Sequence, residues 1–194
     1  IYRNTLLSIT LYFISFTLPA QDAWSPLESM KIKSISQTEI SNDGKSIAYV
    51  VREPIMEGKK SEYLSQIWVT DTESKENIQY TFNQKSSSSP KFSPDGKKIA
   101  FLSSRSGKNQ IWIMNTLGGE ARMLTKEKKG VRSIKWSPDG KMISFLKSDD
   151  DTEDEIKSKE NKTDVILVDK NFKYSHIYSY PVSYTHLRAH ETPV

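Results

Sequence analysis

Cysteine is absent from the 194 residues. Its absence excludes a disulfide framework, a thiolate metal site and a thiol nucleophile in one stroke. The excess of basic over acidic residues is also small. The formal net charge of +4 comes from scattered lysines and not from a basic stripe, so no nucleic-acid partner is expected. A Gly-x-Ser-x-Gly nucleophile elbow is missing as well. The nearest pattern, Gly44-Lys45-Ser46-Ile47-Ala48, lacks the second glycine and opens a strand. Beyond residue 20 no apolar run is long enough to span a membrane.

The first twenty residues differ from the rest. Arg3 precedes an apolar run from Leu6 to Leu18, broken only by Ser and Thr, and Pro19-Ala20 follows. A positive start, an apolar stretch of about 13 residues and a small residue for cleavage form the pattern of a secretory signal peptide. Residues 1–20 are therefore expected to be a leader, with Gln21 opening the mature chain. No membrane span is expected after cleavage, and the protein is expected to be exported, periplasmic or extracellular. Position 1 is Ile, so an initiator Met is expected further upstream.

What the chain does have is a repeat. Ser41-Asn42-Asp43-Gly44-Lys45 recurs as Ser93-Pro94-Asp95-Gly96-Lys97 and as Ser137-Pro138-Asp139-Gly140-Lys141, with the glycines 52 and 44 residues apart. Ser and Asp favour a tight turn, Pro presets φ for its second position, and Gly supplies the left-handed residue that closes it. Such a turn makes a bulged hairpin loop, so antiparallel strands should flank every copy. An apolar residue precedes each copy (Ile40, Phe92, Trp136), and an apolar run follows, as in Ile99-Ala100-Phe101-Leu102.

A third strand is predicted at Gln66–Asp71 and Gln110–Asn115, and a fourth near Asn77–Phe82 and Ala121–Thr125. Four antiparallel strands in about 45 residues make one propeller blade. The predicted fold is all-β, a partial β-propeller of about three four-stranded blades at 35–82, 89–125 and 131–181, preceded by a lead-in at 21–34. A plain β-sandwich is the alternative. In the third unit His176-Ile177-Tyr178 stands where Gln110-Ile111-Trp112 does in the second. Residues 147–175, with their acidic run Asp149–Glu155 and a short strand at Val165–Val168, are thus expected to be a charged, solvated insertion in a hairpin.

Other features have plain structural readings. Trp68, Trp112 and Trp136 are expected to pack in the core, and Ser86–Ser89 to form a solvated approach to a strand. Residues 182–194 fit no blade and are expected to be a non-native tail. His186 and His190 lie four apart in it, but no third ligand accompanies them, so no metal is expected.

The stretch from Ser89 to Ser104, continuing through Gln110-Ile111-Trp112-Ile113-Met114, resembles the WD-repeat-like repeat of TolB-type proteins. The same repeat forms the N-terminal propeller of prolyl oligopeptidase family serine peptidases. The extended third unit is similar to that of dipeptidyl-peptidase and acylaminoacyl-peptidase relatives. A leader running directly into blades also fits an exported member. This resemblance implies a propeller that gates peptide substrates for a C-terminal α/β-hydrolase domain carrying a Ser, Asp and His triad. It assigns no catalytic, cofactor-binding or metal residue, and no cofactor, to the present chain. The other reading it leaves open is a TolB-like, non-catalytic protein-binding propeller.

Overall fold

The computed structural model describes residues 25–57, 60–161 and 172–183. The leader at 1–20, the strand expected at Val165–Val168 and the histidines His186 and His190 lie outside the described residues. The described residues begin with a one-turn helix, α1 (Pro26–Met30), and continue into a four-stranded antiparallel sheet. Its strands are β1 (Ser34–Ile40), β2 (Ser46–Glu57), β3 (Lys60–Asp71) and β4 (Asn77–Gln79), paired in sequence order. A second sheet repeats that order with β5 (Ser87–Phe92), β6 (Lys98–Ser103), β7 (Gln110–Asn115) and β8 (Arg122–Met123). The third holds β9 (Arg132–Trp136), β10 (Met142–Ser148) and β11 (Ser175–Pro181), with β10 central. These are successive propeller blades, the third with three strands among the described residues.

Each Ser-x-Asp-Gly turn has the same wiring. Gly44, Gly96 and Gly140 sit at φ +71°, +69° and +67°, the left-handed region that a side chain would make costly. The turn serine then closes the hairpin twice. Its backbone N–H reaches the carbonyl five residues on, and its hydroxyl accepts that residue's N–H at 2.9 Å, from Ser46, Lys98 or Met142. The hydroxyl donates in turn to the Asp carboxylate, which also accepts a lysine backbone N–H.

Two clusters of buried side chains lie between the blades. Ala48, Val50, Ile67 and Val69 of the first blade meet Phe92, Ile99, Phe101 and Met114 of the second. Ala100, Leu102, Ile111 and Ile113 of the second blade meet Ile134, Ile143 and Phe145 of the third. The middle sheet is thus covered on both faces, which is why β6 reads as a nearly unbroken apolar run. Val182, placed from sequence in the tail, is 5% exposed and belongs to the second cluster, with its N–H bonded to the Lys141 carbonyl. Trp112 and Trp136 pack against the two clusters, and Trp68 is half-buried.

Two readings from the sequence need correction. The serine run is not a solvated approach: Ser87 and Ser88 open β5, and Ser87 is fully buried with its hydroxyl bonded to Ser103. The acidic run is not an open loop throughout. It forms a helix, α2 (Glu153–Glu160), because Thr152 and Glu155 make a capping box and three acids occupy the first turn, where the helix dipole favours them.

Candidate functional site

The two ends of the blade stack are built differently. At one end the Ser-x-Asp-Gly turns and the β3–β4 and β7–β8 turns are short and stitched together. Thr72 and Thr116 each donate a hydroxyl hydrogen bond to the neighbouring turn glycine's carbonyl, Gly44 or Gly96, at 2.9 Å. At the other end the strand connections are elaborated. The β2–β3 ladder runs from Ser46↔Asp71 out to Glu57↔Lys60, whereas β6–β7 stops at Ser103↔Gln110. The first blade therefore carries a two-stranded arm beyond Val51 and Gln66. At its base the Arg52 guanidinium stacks 3.8 Å from the centre of the half-exposed Tyr63 ring.

The third blade carries α2 and its flanking residues at this same end, between β10 and β11. The short 104–109 connection of the second blade lies between these two projections. Recognition commonly resides in loops held on a rigid scaffold, so this end is the candidate interaction face.

A groove of about 370 Å³ opens there between the second and third blades, with Lys108, Asn109, Lys129, Arg132 and Ser148 among its lining residues. Its floor depends on Gly130 (φ +77°), whose neighbour Val131 donates its N–H to the Asn109 carbonyl at 2.8 Å. A β-carbon at position 130 would come within 2.9 Å of that same carbonyl oxygen. Glycine is thus required twice, by dihedral and by space.

Ion pairs border the groove. Lys129 reaches Asp151 at 2.6 Å, and Lys147 reaches Glu127 at 2.8 Å and Asp150 at 3.3 Å. Hydrogen bonds from Lys129 and Lys159 hold the Asp151 carboxyl at about 2. The bond to Glu127 lifts Lys147 to about 12. Burial raises the Glu127 carboxyl, but hydrogen bonds from Lys147 and from Tyr180 Oη (2.5 Å) outweigh it and leave it lowered.

The inner strands β1, β5 and β9 lie side by side and share a second feature. Gln37, Ser89 and Ser133, each four residues before a turn serine, adopt left-handed φ of +52° to +54° at bulges. Bulges of this kind re-aim the chain and interrupt pairing. Neighbouring blades bond to one another across these strands. Gln37 accepts the Ser89 N–H at 2.7 Å, Glu39 pairs with Lys91 at 2.5 Å, and the Trp136 indole donates to the Lys91 carbonyl at 2.9 Å. Capping an inner edge this way leaves it fewer open groups for foreign strands.

Two of these features were not foreseen. One is a buried clip in which Thr125 Oγ1 donates to Gln110 Oε1 and accepts the Ile111 N–H; Thr81, Gln66 and Ile67 repeat it in the first blade. The Gln-to-Thr spacing of 15 residues is the same in both copies and could have been found. The bulges offered a weaker signal, because Ser89 and Ser133 match but Gln37 stands at the same place in the first blade. The elbow-like Ser46 lies at the start of β2 with its N–H on Ser41, and among the described residues no group of three or more His, Cys, Asp or Glu could hold a metal ion.

Comparison with known proteins agrees with this architecture. The uncharacterized peptidase YuxL of Bacillus subtilis (strain 168) is 36% identical over 76 residues, 39% of this chain and 11% of that protein. A structure of acylaminoacyl peptidase in complex with Z-Gly-Gly-Phe-chloromethyl ketone is 26% identical, with a TM-score of 0.56 over 68% of this chain and 20% of its own. Pyrococcus horikoshii acylaminoacyl peptidase is also 26% identical, with a TM-score of 0.53 over 64% of this chain and 19% of its own. The chain thus spans between about a tenth and a fifth of the length of these relatives. The tricorn protease N-terminal beta propeller domain matches residues 61–171, more than half of the sequence. With these blades and that match, the chain belongs to the tricorn protease N-terminal β-propeller domain family.

Proposed function

We propose that these blades are the substrate-gating propeller of an exported serine peptidase, whose α/β-hydrolase domain follows them in the complete protein. The observation that carries this reading is the likeness of the blade stack to acylaminoacyl peptidase in both sequence and fold. The asymmetry of the stack supports it. One end is closed by minimal turns, while the other bears an arm, a helix-containing insertion and a polar groove. A face of that kind meets peptides or a second domain, while the reactive groups reside elsewhere. No triad is assigned to the described residues, and peptides are the substrates proposed for the whole protein. The leader-like residues 1–20 support export to the periplasm or beyond. Among the described residues no helix is long and apolar enough to cross a membrane.

The test uses protein expressed from the complete reading frame. It should react with a fluorophosphonate probe for active serines and cleave short peptides while sparing the same sequences within folded proteins. Absence of both labelling and cleavage overturns the peptidase reading. Cleavage of folded proteins at the same rate as short peptides overturns gating alone.

A further inference from the structure

We propose that the groove between the second and third blades holds a peptide by its acidic side chains, with Lys108 and Arg132 taking the carboxylates. The peptide as occupant rests on the function proposed above, while the preference for carboxylates rests on the groove alone. Lys108, Lys129 and Arg132 all line it, and among the described residues of its lining none is acidic. The cations come from both blades. Lys108 stands on the β6–β7 connection of the second, Arg132 opens β9 of the third, and Lys129 lies on the connection between them. Val131 and Leu146 give the groove an apolar floor on which side-chain stems can lie.

Arg132 is held in place. Its Nη2 donates to the Ser175 hydroxyl, which lies 3.3 Å from the hydroxyl of Ser148 on the groove wall. Ser148 and Ser175 face each other across β10 and β11, so this rung fixes where the guanidinium stands. The rung is neutral and directs the charge without cancelling it. Lys108 is exposed, and among the described residues no carboxylate pairs with it or with Arg132. The acids that border the groove are already engaged. Asp151 is shared by Lys129 at 2.6 Å and Lys159 at 2.9 Å, and Glu127 and Asp150 meet Lys147 at 2.8 and 3.3 Å. A carboxylate entering here gains Coulomb attraction that an amide of the same shape lacks. At about 370 Å³ the groove has the size of a pocket for a few side chains, not of a domain face.

The experiment measures peptide binding by fluorescence anisotropy on protein from the complete reading frame, treated with the fluorophosphonate probe so that no peptide is consumed. The probes are labelled, end-blocked Ala-Glu-Glu-Ala and Ala-Gln-Gln-Ala, so that only side-chain carboxylates differ. The Glu peptide should bind about ten-fold tighter at ~0.1 M sodium chloride, and the gap should narrow to about two-fold at ~1 M, where the Debye length falls to ~3 Å. Lys108→Gln and Arg132→Gln should each weaken the Glu peptide about three-fold and leave the Gln peptide unchanged, which also shows that the variants are folded. Lys126→Gln, an exposed cation outside the groove lining, should change neither. Equal affinity for the two peptides overturns the proposal, as does failure of the Glu peptide to bind the complete protein. So does a preference that survives both groove substitutions, or one that Lys126→Gln reduces as much. A protein that takes no fluorophosphonate yet prefers the Glu peptide keeps this site and loses only the peptidase reading.

Discussion

Ser93 Oγ lies 2.6 Å from Asp95 Oδ1, and with the Lys98 N–H it turns a four-residue loop into a bridge between two strands. The same pair recurs as Ser41–Asp43 and Ser137–Asp139, so the turn motif is a structural unit of each blade. Ser93 is 2% exposed, and its hydroxyl serves both a donor and an acceptor. Ser93→Ala should cost about 0.5–1.5 kcal/mol, the range for a lost hydrogen bond whose partners can turn to water, measured by urea unfolding of the complete protein. Those partners are the exposed Asp95 carboxylate and the half-buried Lys98 N–H. A loss within error of zero would show that water replaces the hydroxyl.

The acid limb of stability follows from these turns. The Asp43, Asp95 and Asp139 carboxyls are lowered first by the serine hydroxyl and then by a lysine N–H. A carboxyl lowered in the folded state contributes stability that is present above its unfolded value, 3.8, and lost as pH falls through the folded one. Thermal stability should therefore fall below about pH 4, and replacing all three with Asn should flatten that limb. An unchanged acid limb in the triple variant contradicts the assignment.

The ion pairs of the groove bound a wide window. Asp151, held at about 2, loses its contribution only in strong acid. Lys147, raised to about 12, contributes below its ordinary 10.5 and loses the contribution as pH rises through 12. His176 also meets Asp149 at 3.1 Å, a pair charged only when the imidazole is protonated. Exchange of the 153–161 amides should thus show no pH-dependent change in protection only on the alkaline side, from about pH 8 to 9, once corrected for intrinsic rates.

Gly130→Ala should destabilise the second blade's lower loops, since left-handed φ alone costs a side chain about 1–2 kcal/mol and the Asn109 carbonyl stands in the way. Gly118→Ala is the control, because its φ is also positive but nothing lies within 4 Å of the new methyl. The expected order of melting temperatures is wild type, Gly118→Ala, Gly130→Ala.

Thr125→Val keeps the shape of a fully buried side chain but removes the hydroxyl shared by Gln110 and Ile111. A loss of about 1–3 kcal/mol is expected on unfolding, and a similar loss for Thr81→Val in the first blade. A neutral result at both sites would contradict the clip's structural role.

How much was legible in the sequence depended on how local the physics was. The Ser-x-Asp-Gly turns and their flanking strands could be read because turn chemistry sits within five residues. The third strands could be read because Gln66-Ile67-Trp68 and Gln110-Ile111-Trp112 repeat. The burial of Ser87 could not, since it depends on Ser103 across the sheet, and nor could that of Val182 against a neighbouring blade. The groove was invisible for the same reason, because Asn109 and Gly130 meet only through the fold. The helix α2 had a local signal in Thr152 and Glu155 that the density of charge obscured.

The central claim, that these blades serve a serine peptidase, is tested most directly by reading the complete frame beyond residue 183. The account predicts further blades followed by a Gly-x-Ser-x-Gly elbow, with Asp and His after it. A frame that closes after a few more repeats with no elbow would contradict it and leave a binding propeller in its place.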